Sequence, residues 1–375
     1  MNKIYKVVWN KARNCYVVAS EFAKSHSTSS VTKKKVSIAV ILAAGMLSGF
    51  SPMVSGAADT TNSEAVVYDQ NQTSLKSTNS GKVEENAIAL GKGASAVANS
   101  IAIGKGAYTQ DGTLAKGQSV ALGNGAVTGA KSTSIGNNAI GGREGTITIG
   151  ANAKNEALYS TVVGTDSKIT SDGTAYTLDL GFLGKYPVIV QGAVSTSYGA
   201  HNTITNTGKV YSGVANSIIG SVNTVTNSNG VTIQGTGNTV TGAYKDMNLS
   251  RSDGGKLFGG DYSVLNEKES GAIAIIGGAN TILNQTSSTV IGFGNTLKGE
   301  NSTGVFTAGS HNTLTNVSNS LVMGDHNTLE GRKNVISLGN NNTVTADDAV
   351  AIGNGTTVSE KSGVAIGVGS VADRV

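Results

Sequence analysis

Cysteine occurs once in this 375-residue chain, at Cys15, and tryptophan once, at Trp9. Both fall in the first 58 residues, so everything after them can form no disulfide and holds no thiol nucleophile or thiolate metal site. Proline occurs twice, at Pro52 and Pro187, which excludes collagen and Pro-rich linkers. Aromatics make up 5% of the chain, and no long helix-period pattern of apolar residues is present. A basic surface is lacking too. Of the 28 basic and 24 acidic residues, eight and one lie in the first 58, leaving 20 and 23 and a net charge of −3. No basic stripe interleaved with aromatics remains, so nucleic acid is not an expected partner.

Glycine is the abundant residue, 51 in all, roughly twice its ordinary share. Short apolar runs broken by Gly and Asn point to an all-β protein. The stretch "AIALGKGASAVANSIAIGKGA" from Ala87 to Ala107 carries Gly-Lys-Gly twice. A phosphate loop would need Gly-x-x-x-x-Gly-Lys followed by Ser or Thr. Here Lys92 and Lys105 are each followed by Gly-Ala, and the frame recurs without lysine at Val120, Ser132, Thr146, Ser337, Val350 and Val364. A feature that recurs so often is architecture.

The glycines closing these runs stand at Gly91, Gly104, Gly123, Gly136, Gly150 and Gly164, and later from Gly277 to Gly367. Their spacing, mostly 13 to 15 residues, is too short for propeller blades or helical repeats and suits a parallel β-solenoid. Each coil has room for two short strands and two tight turns. In Ile101-Ala102-Ile103-Gly104, alternation puts the two isoleucines on one face, expected to be the interior, and Ala102 on the other. The second strand is clearest as Asn-Thr-apolar, at Asn202, Asn223, Asn238, Asn280, Asn295, Asn312, Asn327 and Asn342. Asn202 shares the inward parity of Ile204, which predicts a stacked Asn ladder at one corner. Helix is expected only in the leader.

The leader has its own signature. Lys33–Lys35 form a positive region, Val36–Phe50 an apolar core, and Ser55-Gly56-Ala57-Ala58 a small-residue cleavage site. This reads as a secretory signal peptide, cut after Ala57 or Ala58, and it is too short for a spanning helix. Ahead of it, Met1-Asn2-Lys3-Ile4-Tyr5, Trp9-Asn10 and Ser20-Glu21-Phe22-Ala23-Lys24 resemble the extended signal-peptide region of large autotransporters of two-membrane bacteria. That resemblance implies slowed or routed export across the inner membrane.

The runs at Ala87–Ala107, Val120–Ala126, Val350–Thr356 and Val364–Ser370 resemble the head repeats of YadA-like trimeric autotransporter adhesins. The resemblance implies a left-handed parallel β-roll, a homotrimer packed side by side, and display on the cell surface or outer membrane. It also implies non-catalytic adhesion to host matrix, glycans or other cells. The expected division is an extended signal peptide (1–58), a linker (59–83) and head repeats (84–170). An irregular insertion (171–200), head-like repeats (201–242), a second insertion (243–270) and truncated head repeats (271–375) follow. The family's neck, coiled-coil stalk and membrane barrel have no counterpart in these residues. The chain therefore reads as a fragment or a prematurely ended gene product. Outer-membrane attachment would come only through an anchor missing from this chain, with secretion as the outcome if that anchor is truly absent.

No catalytic, cofactor or metal site is expected. His201, His311 and His326 each precede Asn-Thr in the repeat, where Gly, Ala, Asn and Val also occur, so the slot reads as a turn. Asp347 and Asp348 adjoin without further carboxylates at calcium-loop spacing. The candidate ligand face is the outward threonines Thr203, Thr205, Thr224, Thr226, Thr239, Thr241, Thr313, Thr315, Thr343 and Thr345. Two alternatives were weighed. A β-solenoid polysaccharide-processing enzyme would need longer coils with acidic and basic residues on adjacent rungs. A threonine-array protein of the ice-binding type would need an unbroken lattice, whereas Leu283, Lys298 and Glu330 interrupt the second threonine position.

Overall fold

The structure, a computed structural model, describes residues 80–112, 116–179 and 181–374, preceded by four short strands. The chain divides into two units, 1–52 and 53–375. In the first, Tyr5–Asn10 and Cys15–Ser20 form an antiparallel pair. The expected cleavage residues Ala57 and Ala58 lie outside the described residues.

The second unit is a parallel β-solenoid. Three-residue strands stack in strict register: Ile101-Ala102-Ile103 lies on Val120-Ala121-Leu122, which lies on Thr133-Ser134-Ile135. The stack continues from Ile88–Leu90 to Val364–Ile366. A second sheet of 15 strands runs alongside, from Tyr108–Thr109 to Val371–Ala372. Register is held because each coil repeats the same turn chemistry. Glycine closes every first strand, at φ values such as +130° for Gly104. A Cβ on Gly235 would run into the Gly277 carbonyl, so the corner admits no side chain. Two residues later each coil enters the left-handed region. His201, His311 and His326 occupy that slot at φ 56°, 54° and 57°, alongside Asn, Asp, Gly, Ala and Val. The histidines are turn residues.

The facing of the first sheet is opposite to the expected one. Ala102 is fully buried and Ile103 is 38% exposed. The small residues Ala89, Ala102, Ala121, Ser134 and Thr148 point in, and the bulky ones point out. The reason is the width of the coil. In the N-terminal turns the sheets lie so close that the interior is alanine on both sides, from Ala87 to Ala126. Further along, Ile204, Ile218, Ile233, Ile275, Ile282, Leu297, Leu314 and Leu329 fill it.

Where the interior widens, the corner alanines give way to asparagine. Ala126, Ala139 and Ala153 are followed by Ser167, then Asn202 through Asn342, then Thr356, and all are buried. Each internal asparagine is saturated. Asn223 Nδ2 donates to Asn202 Oδ1 at 3.0 Å and to the Gly235 carbonyl at 2.8 Å. Its Oδ1 accepts from the backbone N–H and the Nδ2 of Asn238, both at 3.0 Å. The pattern repeats through Asn280, Asn295, Asn312 and Asn327. Ser167 Oγ starts the column by accepting from the Asn202 backbone N–H, and Thr356 ends it by donating to Asn342 Oδ1 at 2.6 Å.

Two segments leave the array and meet each other. An antiparallel pair, Tyr176–Asp179 with Lys185–Val188, comes from one. An α-helix, Arg251–Phe258, and a 3-10 turn, Tyr262–Glu267, come from the other. They share one core with Leu178, Val190, Tyr211, Leu257 and Val264. Helix outside the leader corrects the expectation. The local cause is a capping box, in which Ser250 Oγ accepts from Asp253 N–H at 3.1 Å and Asp253 Oδ2 accepts from Ser250 N–H at 2.9 Å. Lys268 Nζ stands 2.7 Å from the same carboxylate. These bonds, led by that to Lys268, lower the Asp253 pKa to about 2.

Two outcomes follow from this arrangement. Asn327→Ala removes the Nδ2 bonds to Asn312 and Gly339 and the acceptor for Asn342 N–H; denaturant melting should show a loss of about 1–3 kcal/mol. Thr328→Ala, on the exposed face, should cost under about 1 kcal/mol. Equal losses would mean the ladder contributes nothing special. The depressed pKa makes the Asp253 contribution fully present above the ordinary carboxylate value of 3.8, and lost as pH falls through about 2. Hydrogen exchange of the 251–258 amides should accelerate across that window, and Asp253→Asn should flatten the acid step. Protection unchanged down to pH 2 would contradict the assignment.

Candidate functional site

Three surfaces of the solenoid offer chemistry. The first is the outer face of the second sheet. Register pairs Thr203, Thr224 and Thr239 and then carries on through Thr281, Thr296, Thr313, Thr328, Thr343 and Thr357. The column of threonines is continuous. Sequence reasoning had paired threonines two apart and so passed over Thr281, Thr296, Thr328 and Thr357, although the Asn-Thr step in each repeat, and Thr356-Thr357 at the last, could have found them. The neighbouring column holds Thr205, Thr226 and Thr241, then Leu283 and Lys298, then Thr315 and Glu330. Thr313, Thr343 and Thr345 are exposed, and the other candidate threonines are half-buried. Beside them the His311 and His326 rings stack at 5.0 Å and 17°. Among the described residues, no three His, Cys, Asp or Glu side chains come together to hold a metal ion.

The second surface is the outer face of the first sheet. One of its columns reads Leu90, Ile103, Leu122, Ile135, Ile149, Val163, Tyr198 and Ile219. After Gln234 it continues as Ile276, Ile291, Ala308, Met323, Leu338, Ile352 and Ile366. Ile219 and Ile276 are each 52% exposed and Ile366 64%. So long an exposed apolar row is unusual for a surface facing only water. The inward turn of the alanines creates it: two apolar faces cannot both be interior.

The third is a cleft of about 600 Å³ where the two inserted segments overhang the turns of the N-terminal coils. Its wall carries Asp111, Lys131, Arg143, Glu144, Tyr159 and Tyr262. The Tyr159 and Tyr262 rings meet at 5.0 Å with a 55° tilt. Tyr159 Oη donates to Glu144 Oε1 at 3.1 Å, and Lys131 Nζ stands 3.5 Å from the same oxygen. Burial pushes the phenol pKa of Tyr262 upward and that of Tyr159 less so, the latter helped by Glu144. Burial also presses the Arg143 guanidinium downward. None of these cleft residues was singled out from sequence, because three coils and two insertions supply them.

The chain's resemblances agree with this architecture. Residues 1–49 match the family model described as the Extended Signal Peptide of Type V secretion system (ESPR). A 96-residue stretch is 38% identical to the Autotransporter adhesin EhaG of Escherichia coli O157:H7. That stretch is 26% of this chain and 5% of the relative's length. The leader supports export to the cell surface or outer membrane. With a type V leader ahead of a parallel β-solenoid and partial identity to such a relative, the chain is trimeric-autotransporter-adhesin-like.

Proposed function

We propose that the chain is the surface-exposed head of an autotransporter adhesin, working as a homotrimer and binding host matrix, glycans or other cells without catalysis. The apolar outer column of the first sheet carries this reading. Covering one half-exposed isoleucine contributes on the order of 1 kcal/mol. A row of such residues along the stack therefore supplies enough to offset an association cost of about 4–15 kcal/mol. Closed symmetry lets the same face serve every copy. The thin alanine interior of the N-terminal coils adds to the need, since it buries little apolar area within one chain. With that face covered, the threonine face and the cleft are left for ligands.

The alternatives find less support. The second threonine column is broken by Leu283, Lys298 and Glu330, which spoils a regular lattice for ice. No acidic cluster of glycosidase type was read from the sequence. Thermal hysteresis and turnover on polysaccharide panels are the respective readouts.

Sedimentation equilibrium of the purified chain should give a trimer. The double substitution Ile276→Glu with Ile291→Glu should shift it to monomer and leave the strand content intact by circular dichroism. A parent chain that stays monomeric at high concentration would overturn the assembly. Adhesion itself is tested by retention of the chain on immobilised matrix proteins and on cells, where no retention on either would overturn the adhesin reading.

A further inference from the structure

The cleft beneath the two inserted segments is more than a gap between loops. Its charges are unequally matched. Asp111 is held by Lys116 at 3.2 Å and by the Gly117 N–H at 2.9 Å. Glu144 is held by Lys131 and by the Tyr159 hydroxyl. Arg143 is half-buried, and among the described residues no hydrogen bond or ion pair takes up its guanidinium. Glu156, the acidic group that acts on it at longer range, is engaged by Lys154 at 2.6 Å and by the Ser171 N–H at 3.1 Å. The Tyr262 hydroxyl likewise has no hydrogen-bond partner among the described residues. A cation and a hydroxyl thus share a cleft in which both carboxylates are already occupied.

The backbone adds a second sign. Tyr159 sits at φ 48°, a left-handed conformation that is unfavourable for a bulky side chain. The equivalent slots on other coils hold Asn86, Asn99 and Gly145. Strain of this kind persists where surrounding structure enforces it, and it clusters at ligand sites. Here it sets the ring against Tyr262. Five glycines on the cleft wall leave backbone amides and carbonyls open to a ligand rich in hydroxyls.

We infer that this cleft binds a carboxylated sugar unit, a uronic or sialic acid residue of an acidic glycan, with its carboxylate on Arg143, a hydroxyl on Tyr262, and its C–H face on the tyrosine pair. A planar guanidinium takes a carboxylate through two parallel bonds. A site of about 600 Å³ lies within the range of small-ligand pockets. The inference rests on the reading of the chain as a binding surface and names one class of ligand for it.

The test is calorimetric titration of the full chain. The probes are a glucuronate-containing oligosaccharide, a sialylated trisaccharide, the carboxyl-reduced form of each, and a short peptide with a free C-terminal carboxylate. One acidic sugar should bind, with its carboxyl-reduced form weaker by about tenfold or more. Arg143→Ala should weaken binding by a similar factor. Tyr262→Phe should weaken it by about threefold while leaving the ring pair and the melting temperature in place. Lys361→Ala, on a distant coil, should change nothing. Equal affinity for the carboxyl-reduced sugar, an unaffected Arg143→Ala, or tighter binding of the peptide would overturn the inference. Adhesion to surfaces, measured separately, distinguishes the two failures. Adhesion without acidic-sugar binding removes the cleft assignment alone, and sugar binding without adhesion removes the adhesin reading alone.

Discussion

The buried asparagine column is the constraint on which the C-terminal half of the solenoid depends. A side-chain amide has two donors and two acceptor sites, and here all four are used, along and across the stack. Asn238, for example, links the coil before it through Asn223 and the coil after it through Gly277 and Asn280. Each amide is paired only if every coil is in register with both neighbours. A slip of one residue would bury unpaired polar groups on many coils at once and turn the apolar residues to the opposite face. The glycine corner serves the same end, because its carbonyls must approach the asparagines with no Cβ between coils.

Inside this frame the sheets divide their labour unequally. The second sheet alternates as a strand with one wet face does: Ile204, Val225 and Val240 inside, threonines outside. The first sheet is apolar on both faces, with alanine or serine inside in the N-terminal turns and isoleucine outside. A sheet of that kind is suited to burial on both sides. Its inner face is covered by its own chain, and its outer face awaits cover, which is why the assembly proposal and the thinness of the core are one physical statement.

The inserted segments show how a repeat acquires a site. A uniform stack offers the same groups on every coil and so favours extended, low-specificity contact. Only where the chain leaves the array can unlike residues converge. Tyr262 comes from one insertion, whereas Arg143 and Tyr159 belong to ordinary coils. The capping box at Ser250 and the shared core around Leu178 and Leu257 hold the overhang in place, so the cleft is built on packed structure.

Much of this was legible in the sequence. The 13-to-15-residue glycine period specified parallel coils, because no other arrangement places a glycine corner at so short a repeat. The Asn-Thr-apolar alternation specified which side of the second strand turns in, because a polar outer threonine and an apolar inner residue leave only one stable facing. The first strand carried no such information. Ile-Ala-Ile reads equally well either way when both faces are apolar, and only the width between the sheets, a tertiary quantity, decided that alanine goes in. The meeting of segments some 70 residues apart was beyond any local pattern. Nothing in the run around Tyr176 signals that Leu257 will pack there, since that contact exists only once the intervening coils have stacked and set the distance between them.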